Sequence, residues 1–205
     1  DPAEALLDQA RRLDAEQLTQ PGVTRPEYQV GRAEATGLES ASRDLVIAGQ
    51  CWHWFDSPAV AAEAWRLLVP GGRLVLAYFD WLPLQDRAGR ANVVAATESL
   101  IRAHNPGWQM HDGDGFHSEY LADFSRAGFR SIESFSFEHS AIYRHESWRG
   151  RIRASAGVAA SLAPEAVDRF DRELAELLEG DYPESEQGEL PVPHRVWCAA
   201  ARKQA

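Results

Sequence analysis

Two unbroken apolar runs joined by one amphipathic segment constrain this chain more than any other feature. Leu45-Val46-Ile47-Ala48 follows Asp44 without a polar break, and Leu74-Val75-Leu76-Ala77-Tyr78-Phe79 follows the turn-like Pro70-Gly71-Gly72. Runs of this length suit strands covered on both faces of a parallel sheet, so the Leu45 run is expected at the centre of one. Between them Ser57-Pro58 opens a helix that carries Val60, Ala64, Leu67 and Leu68 on one face. Strand, helix and strand in this order predict a right-handed parallel crossover.

The same alternation extends in both directions. Asp1-Pro2-Ala3-Glu4 reads as a cap, a first-turn proline and an acid, with Leu6, Ala10 and Leu13 at helical spacing behind them. Pro21, Gly22 and Pro26 break that helix before a short edge-like strand at Tyr28 and Val30. After Asp80, residues 81–117 read as an insertion: a helix through Val93, Thr97, Leu100 and Ile101 that ends at Asn105-Pro106, then a Gly/Asp/His-rich loop. A helix from Ser118 stops at Gly128, and Phe135 and Phe137 alternate with Ser134 and Ser136 as in a strand. Residues 140–160 are a second candidate insertion. Ala163-Pro164-Glu165 then begins a helix bearing Val167, Phe170, Leu174, Leu177 and Leu178, which ends near Gly180. A last strand alternates Val196, Cys198 and Ala200, with Pro191 and Pro193 at its entrance. The pattern predicts an α/β, Rossmann-like doubly wound sheet, read as one domain over residues 1–205.

Charge narrows the function. With 31 acidic against 21 basic residues the formal net charge is −10, which opposes binding to nucleic acid. No apolar run approaches the roughly 18 residues of a membrane span, and no signal segment opens the chain. Cys51 and Cys198 stand far apart, without disulfide or metal-ligand spacing, so no metal is expected and a cytoplasmic location fits.

Ligands of doubly wound sheets sit beyond the carboxyl ends of the strands, which selects the Asp1 end, the Arg32-Ala33-Glu34 segment, the loop Gln50-Cys51-Trp52-His53-Trp54-Phe55 and the residues after Phe79. Asp44-Leu45-Val46, Trp52 to Asp56, and Trp65-Arg66-Leu67-Leu68-Val69-Pro70-Gly71-Gly72-Arg73-Leu74 together resemble the fourth-strand to fifth-strand core of class I S-adenosylmethionine-dependent methyltransferases. Within that family the chain looks most similar to the trans-aconitate and ubiquinone/menaquinone-biosynthesis methyltransferase branch. The resemblance implies a last strand that runs antiparallel, S-adenosyl-L-methionine as cofactor, and cofactor contacts from Asp1, Ala33, Glu34, Gln50 and Cys51. Asp1 then stands where the family places the acid that holds the ribose, whereas a plain helix cap is its other reading. Arg32 departs from the family, in which an acid often accepts a hydrogen bond from the adenine. The family's glycine-rich turn has no counterpart here, so a strand-helix-strand unit is expected ahead of Asp1.

The expected acceptor is a small molecule, with a carboxylate-bearing metabolite favoured by local charge and a homodimer open. If the acceptor is a hydroxyl, a His or Tyr can take its proton. His53 and Tyr143 are the main candidates, beside His117, His139 and His145. Trp54 is a candidate substrate contact, with strand-end packing as its alternative. In Trp148-Arg149-Gly150-Arg151-Ile152-Arg153 the three arginines and Trp148 form either a lid that clamps an anion or a solvated surface. Two other functions fit parts of the pattern: a non-catalytic binding or scaffold protein on the same fold, and a nicotinamide-dependent reductase, which also places an acid after its second strand.

Overall fold

The computed structural model describes residues 1–18 and 24–204, so the expected breaks at Pro21 and Gly22 lie outside the described residues. The elements follow as α1 (Glu4–Gln17), β1 (Arg43–Gly49), α2 (Ser57–Leu67), β2 (Leu68–Trp81), α3 (Val93–His104), α4 (Leu121–Arg126), β3 (Arg130–Tyr143), α5 (His145–Arg153), α6 (Pro164–Asp181) and β4 (Leu190–Arg202). The fold is α/β, with a sheet in the order β1-β2-β4-β3.

Hydrogen bonds give the strand directions. The Ser42 N–H donates to the Leu67 carbonyl at the start of both β1 and β2, which run parallel around α2. Gly71 and Gly72 exchange bonds with Lys203 at 2.9 Å, while the Leu82 N–H reaches the Pro193 carbonyl at 2.9 Å. Residue numbers rise on β2 as they fall on β4, so the last strand is antiparallel, as expected.

Three expectations need correction. The Leu45 run forms β1, but among the described residues it has a neighbouring strand on one side only, with Leu45 48% and Ile47 61% exposed. An apolar run reports what its side chains favour, not how many strands flank it. The segment at Tyr28 and Val30 is irregular, with only an isolated bridge between Arg32 and Ala35 nearby. Pro70-Gly71-Gly72 does not end an element. It lies inside β2, where Gly71 takes φ +84° and Gly72 presses so close to the Val69 and Asp44 carbonyls that a Cβ would stand 3.0 and 3.1 Å from them.

The helices follow their sequence signals closely. Asp56 caps α2 by accepting from the Ala59 N–H, and Asn92 caps α3 by accepting from the Ala95 N–H. The cap of α1 is Ala3; Asp1 stands two residues earlier and accepts from the Ala3 N–H at 2.7 Å. Gly128, at φ +93°, follows α4 as the C-terminal glycine.

The chain divides into two compact units. The first comprises Asp1–Leu76, Ser118–Glu133 and Ala199–Ala205, the second Ala77–His117 and Ser134–Cys198. In the first, Trp52 meets Phe124 edge-on with ring centres 6.2 Å apart, and Trp65 meets Phe129 at 5.0 Å. In the second, α3, α5 and α6 enclose Val94, Ile101, Trp148, Ile152, Phe170 and Leu174. Gly157 serves this core by close approach, since a Cβ there would lie 2.9 Å from Ile101 Cγ2 and 3.1 Å from the Trp108 ring. Gly157→Ala is therefore expected to lower stability by about 1–3 kcal/mol, the scale of overpacking, as measured by urea unfolding monitored through tryptophan fluorescence.

Candidate functional site

The first unit brings three of the expected loops together through a few hydrogen bonds. The Gly31 N–H donates to the Asp1 carbonyl at 3.2 Å, which lays the segment before Arg32 along the Asp1 end. Ala33, half-buried, sits in the turn closed by the Ala35 N–H on the Arg32 carbonyl. Glu34 accepts from the Asp56 N–H through Oε1 and from Arg32 Nε through Oε2, both at 3.4 Å. Its own backbone N–H, then the Asp56 N–H and Arg32, hold its carboxyl below the usual range.

The loop after β1 has an unusual backbone. Gln50 adopts φ +57°, the left-handed region that non-glycine residues seldom enter, and it is exposed. Cys51 is half-buried, and burial pushes its thiol up. Trp52 turns inward and donates its indole N–H to Asp123 at 3.1 Å, so it anchors the loop. His53 packs its ring against Trp54 at 4.6 Å, and Trp54 is 63% exposed.

One carboxylate absent from the sequence reading holds this region in place. Glu63 on α2 is buried and accepts from the Thr36 N–H, the Thr36 hydroxyl and Arg66, whose guanidinium also donates to the Leu38 carbonyl. Arg66, against some opposing burial and with help from Thr36, lowers the Glu63 carboxyl to about 2. No local pattern marks this role, because Thr36 lies 27 residues away.

The second unit assigns the remaining residues differently. Trp148 is fully enclosed, with its indole N–H on the Thr97 hydroxyl at 3.2 Å and its ring 5.6 Å from Trp81, so it packs as core and is not at a surface. Tyr143 lies edge-on to Trp148 at 5.2 Å and stacks near His194 at 5.9 Å. Arg149 and Arg153 both hold Asp171 and both pair with Glu146. Burial pushes the Asp171 carboxyl up, and the two guanidiniums outweigh it and keep it below the usual range. The expected positive spot is thus largely neutralised within the chain. Arg151 differs: it is exposed, lies 5.1 Å over the Trp81 ring, and has no ion pair among the described residues.

Two further groups stand near the carboxyl end of β2. His117 Nε2 meets Asp80 Oδ2 at 2.7 Å, and its ring lies 3.9 Å from Tyr78. Glu98 is buried and accepts from the Trp81 indole at 2.8 Å and the Asp112 N–H at 2.9 Å, and burial raises its carboxyl. Among the described residues no group of three or more His, Cys, Asp or Glu side chains is arranged to hold a metal, and no helix is long and apolar enough to cross a membrane.

Because Glu63 titrates lower in the folded chain than its ordinary 4.5, its contribution is present above that value and fades as pH falls toward about 2. Glu63→Gln is expected to cost about 1–3 kcal/mol near neutral pH, with the gap to wild type closing through the acid range; urea unfolding across pH measures it.

Comparison with known proteins bears on the first unit above all. A family profile described as a methyltransferase domain matches residues 1–76. An uncharacterized methyltransferase of Schizosaccharomyces pombe is 49% identical over 47 residues, 23% of this chain and 19% of that protein. One from Mycobacterium tuberculosis is 40% identical over 60 residues, 29% of this chain and 24% of that protein. The matched stretch thus spans about a quarter or less of either relative. Among solved structures, the YcgJ protein of Bacillus subtilis aligns with all of this chain and 81% of its own, at 18% identity and a TM-score of 0.56. A candidate methyltransferase from Anaeromyxobacter dehalogenans aligns with all of this chain and 78% of its own, at 24% identity and a TM-score of 0.54. These likenesses establish the Rossmann-like fold of such proteins.

Proposed function

We propose that this chain carries out S-adenosylmethionine-dependent methyl transfer to a small-molecule acceptor. One observation carries the reading: the stretch matched by the methyltransferase profile, residues 1–76, is also the leading segment of the compact unit in which the Asp1, Glu34 and Gln50 loops are tied together.

The donor set of this unit fits the cofactor. The carboxylates of Asp1 and Glu34 supply acceptors for hydroxyl and amino groups, in keeping with the acidic residues such a ribose and adenine require. Gln50 and Cys51 lie at the strand end, where the methionine portion is expected. Burial pushes the Cys51 thiol up, which disfavours its nucleophilic thiolate form beside the methyl group. When bound, the cofactor supplies an electrophilic methyl on a sulfonium. Much of the acceleration in such a displacement comes from holding the reacting atoms close, so no strong base is needed for an acceptor already deprotonated. For a hydroxyl acceptor, His53 is the residue of this unit that takes the proton, and exposed Trp54 beside it offers an apolar wall.

An acceptor bearing a carboxylate remains the favoured class, now through Arg151 alone. Arg149 and Arg153 already hold carboxylates of the chain, whereas Arg151 has none among the described residues.

Two experiments test these assignments. Calorimetric titration of S-adenosylmethionine into the Asp1→Asn and Glu34→Gln variants is expected to show affinity losses of about 1–3 kcal/mol each, with little change in Tm without cofactor. Wild-type affinity in both would remove these residues from the site. For the acceptor, Arg151→Ala is expected to raise KM for acidic acceptors without weakening cofactor binding. Arg149→Ala should instead lower Tm, since it leaves Asp171 with one partner fewer. Equal kinetics of wild type and Arg151→Ala over a panel of acidic and neutral acceptors would leave the carboxylate preference without support.

A further inference from the structure

Strand β3 ends the sheet on one side, so one of its edges faces no other strand among the described residues. Sheet edges in soluble proteins are commonly blunted by proline, lysine or bulges, because unpaired N–H and C=O groups recruit other strands. From Ile132 to Ile142 this strand contains no proline, glycine or lysine. It also presents large apolar side chains to solvent: Phe135 is 60%, Phe137 52% and Ile142 58% exposed. Glu138 is engaged on the inner side, where Arg195 of β4 holds it at 2.7 Å.

The order of side chains along this edge is self-complementary. In an antiparallel pair of identical strands about a twofold axis normal to the sheet, facing residues have numbers with a constant, even sum. With the axis at Ser136, Phe135 faces the partner's Phe137, and Glu133 faces the partner's His139. On the other face of the same pair, the Ser134 hydroxyl meets the partner's Glu138 carboxylate. Each of these pairs occurs twice, which gathers four phenyl rings on one face, flanked at both ends by a carboxylate opposite an imidazole. The neighbouring registers lose this match. An axis at Phe135 sets Glu133 against Phe137, and an axis at Phe137 sets Phe135 against His139.

We propose that β3 is a homodimer interface, in which two copies of this chain join their sheets edge to edge about Ser136. The occupant is a second copy because both the aromatic and the polar pairs are satisfied by the strand's own sequence. The inference is independent of the proposed function, which assigns the proton-taking role to His53 and uses neither Glu133 nor His139.

Sedimentation velocity over a wide range of micromolar concentrations is the test. The expected result is a concentration-dependent species of twice 22.8 kDa. His139→Glu places a carboxylate opposite Glu133 at two points and is expected to weaken dimerisation about tenfold. Adding Glu133→His reverses the pair and is expected to restore wild-type dimerisation, which a mere loss of folding would not do. Hydrogen exchange on the wild-type protein gives a second reading, with amide protection in residues 133–139 rising as concentration rises. A monomer throughout, a dimer indifferent to His139→Glu, a double variant no stronger than the single, or exchange independent of concentration would each overturn the proposal.

Discussion

Strand β2 is the element on which the rest of the structure depends. It pairs with the parallel β1 on one side and the antiparallel β4 on the other, and it buries Leu68, Leu74, Leu76 and Tyr78 along one face. Gly72 makes this possible at its start, because a side chain there would press on the carbonyls of Val69 in the same strand and of Asp44 in β1. The far end of the same strand aims Asp80 at His117 and Trp81 at Glu98, so the ladder that builds the sheet also sets the chemistry at its rim. Lys203 closes the near end by donating to the Trp65 and Leu68 carbonyls, and so ties the C-terminal strand to the end of α2.

Several charged residues in this acidic chain act as ties between segments distant in sequence. Glu63 and Arg66 hold the loop at Thr36 and Leu38, and Asp171 clamps Arg149 and Arg153 across α5 and α6. Arg195 does the same for the insertion loop: it donates to the Asp114 carbonyl and lies 4.1 Å over the Phe116 ring. These groups are partly enclosed, so each tie is worth more than a surface ion pair, and removing one partner leaves the other uncompensated. An arginine-rich stretch therefore says little about ligand binding until its carboxylate partners are known.

The candidate cofactor site has the opposite character. Its loops are joined by a few moderately long hydrogen bonds that involve backbone groups, as between Glu34 and Asp56 at 3.4 Å or between Asp1 and both Gln29 and Gly31 at 3.2 Å. The backbone of Gln50 is held in an uncommon conformation at the place where the strand rule puts a ligand. Firm ties behind the loops and light ties between them suit a region that adjusts around a bound molecule.

Local patterns in the sequence determined most of the elements and their order. The crossover through α2, the helix of residues 93–104, the Gly128 stop and the antiparallel last strand were legible because they depend on helical or alternating periodicity, on caps, or on the likeness to methyltransferases. The sequence also singles out the loops around Asp1, Glu34 and Gln50, through strand ends and that same likeness, and the structure ties these loops within one compact unit. Tertiary structure alone decided what lies beside what. Among the described residues it gave β1 a single neighbouring strand, sent Trp148 into the core, consumed Arg149 and Arg153 in pairing with Asp171 and Glu146, and joined Asp80 to His117 across 37 residues of chain. Periodicity records which face a side chain favours, but whether another strand, an aromatic ring or a carboxylate meets that face depends on residues far away in the chain, and no local window contains them.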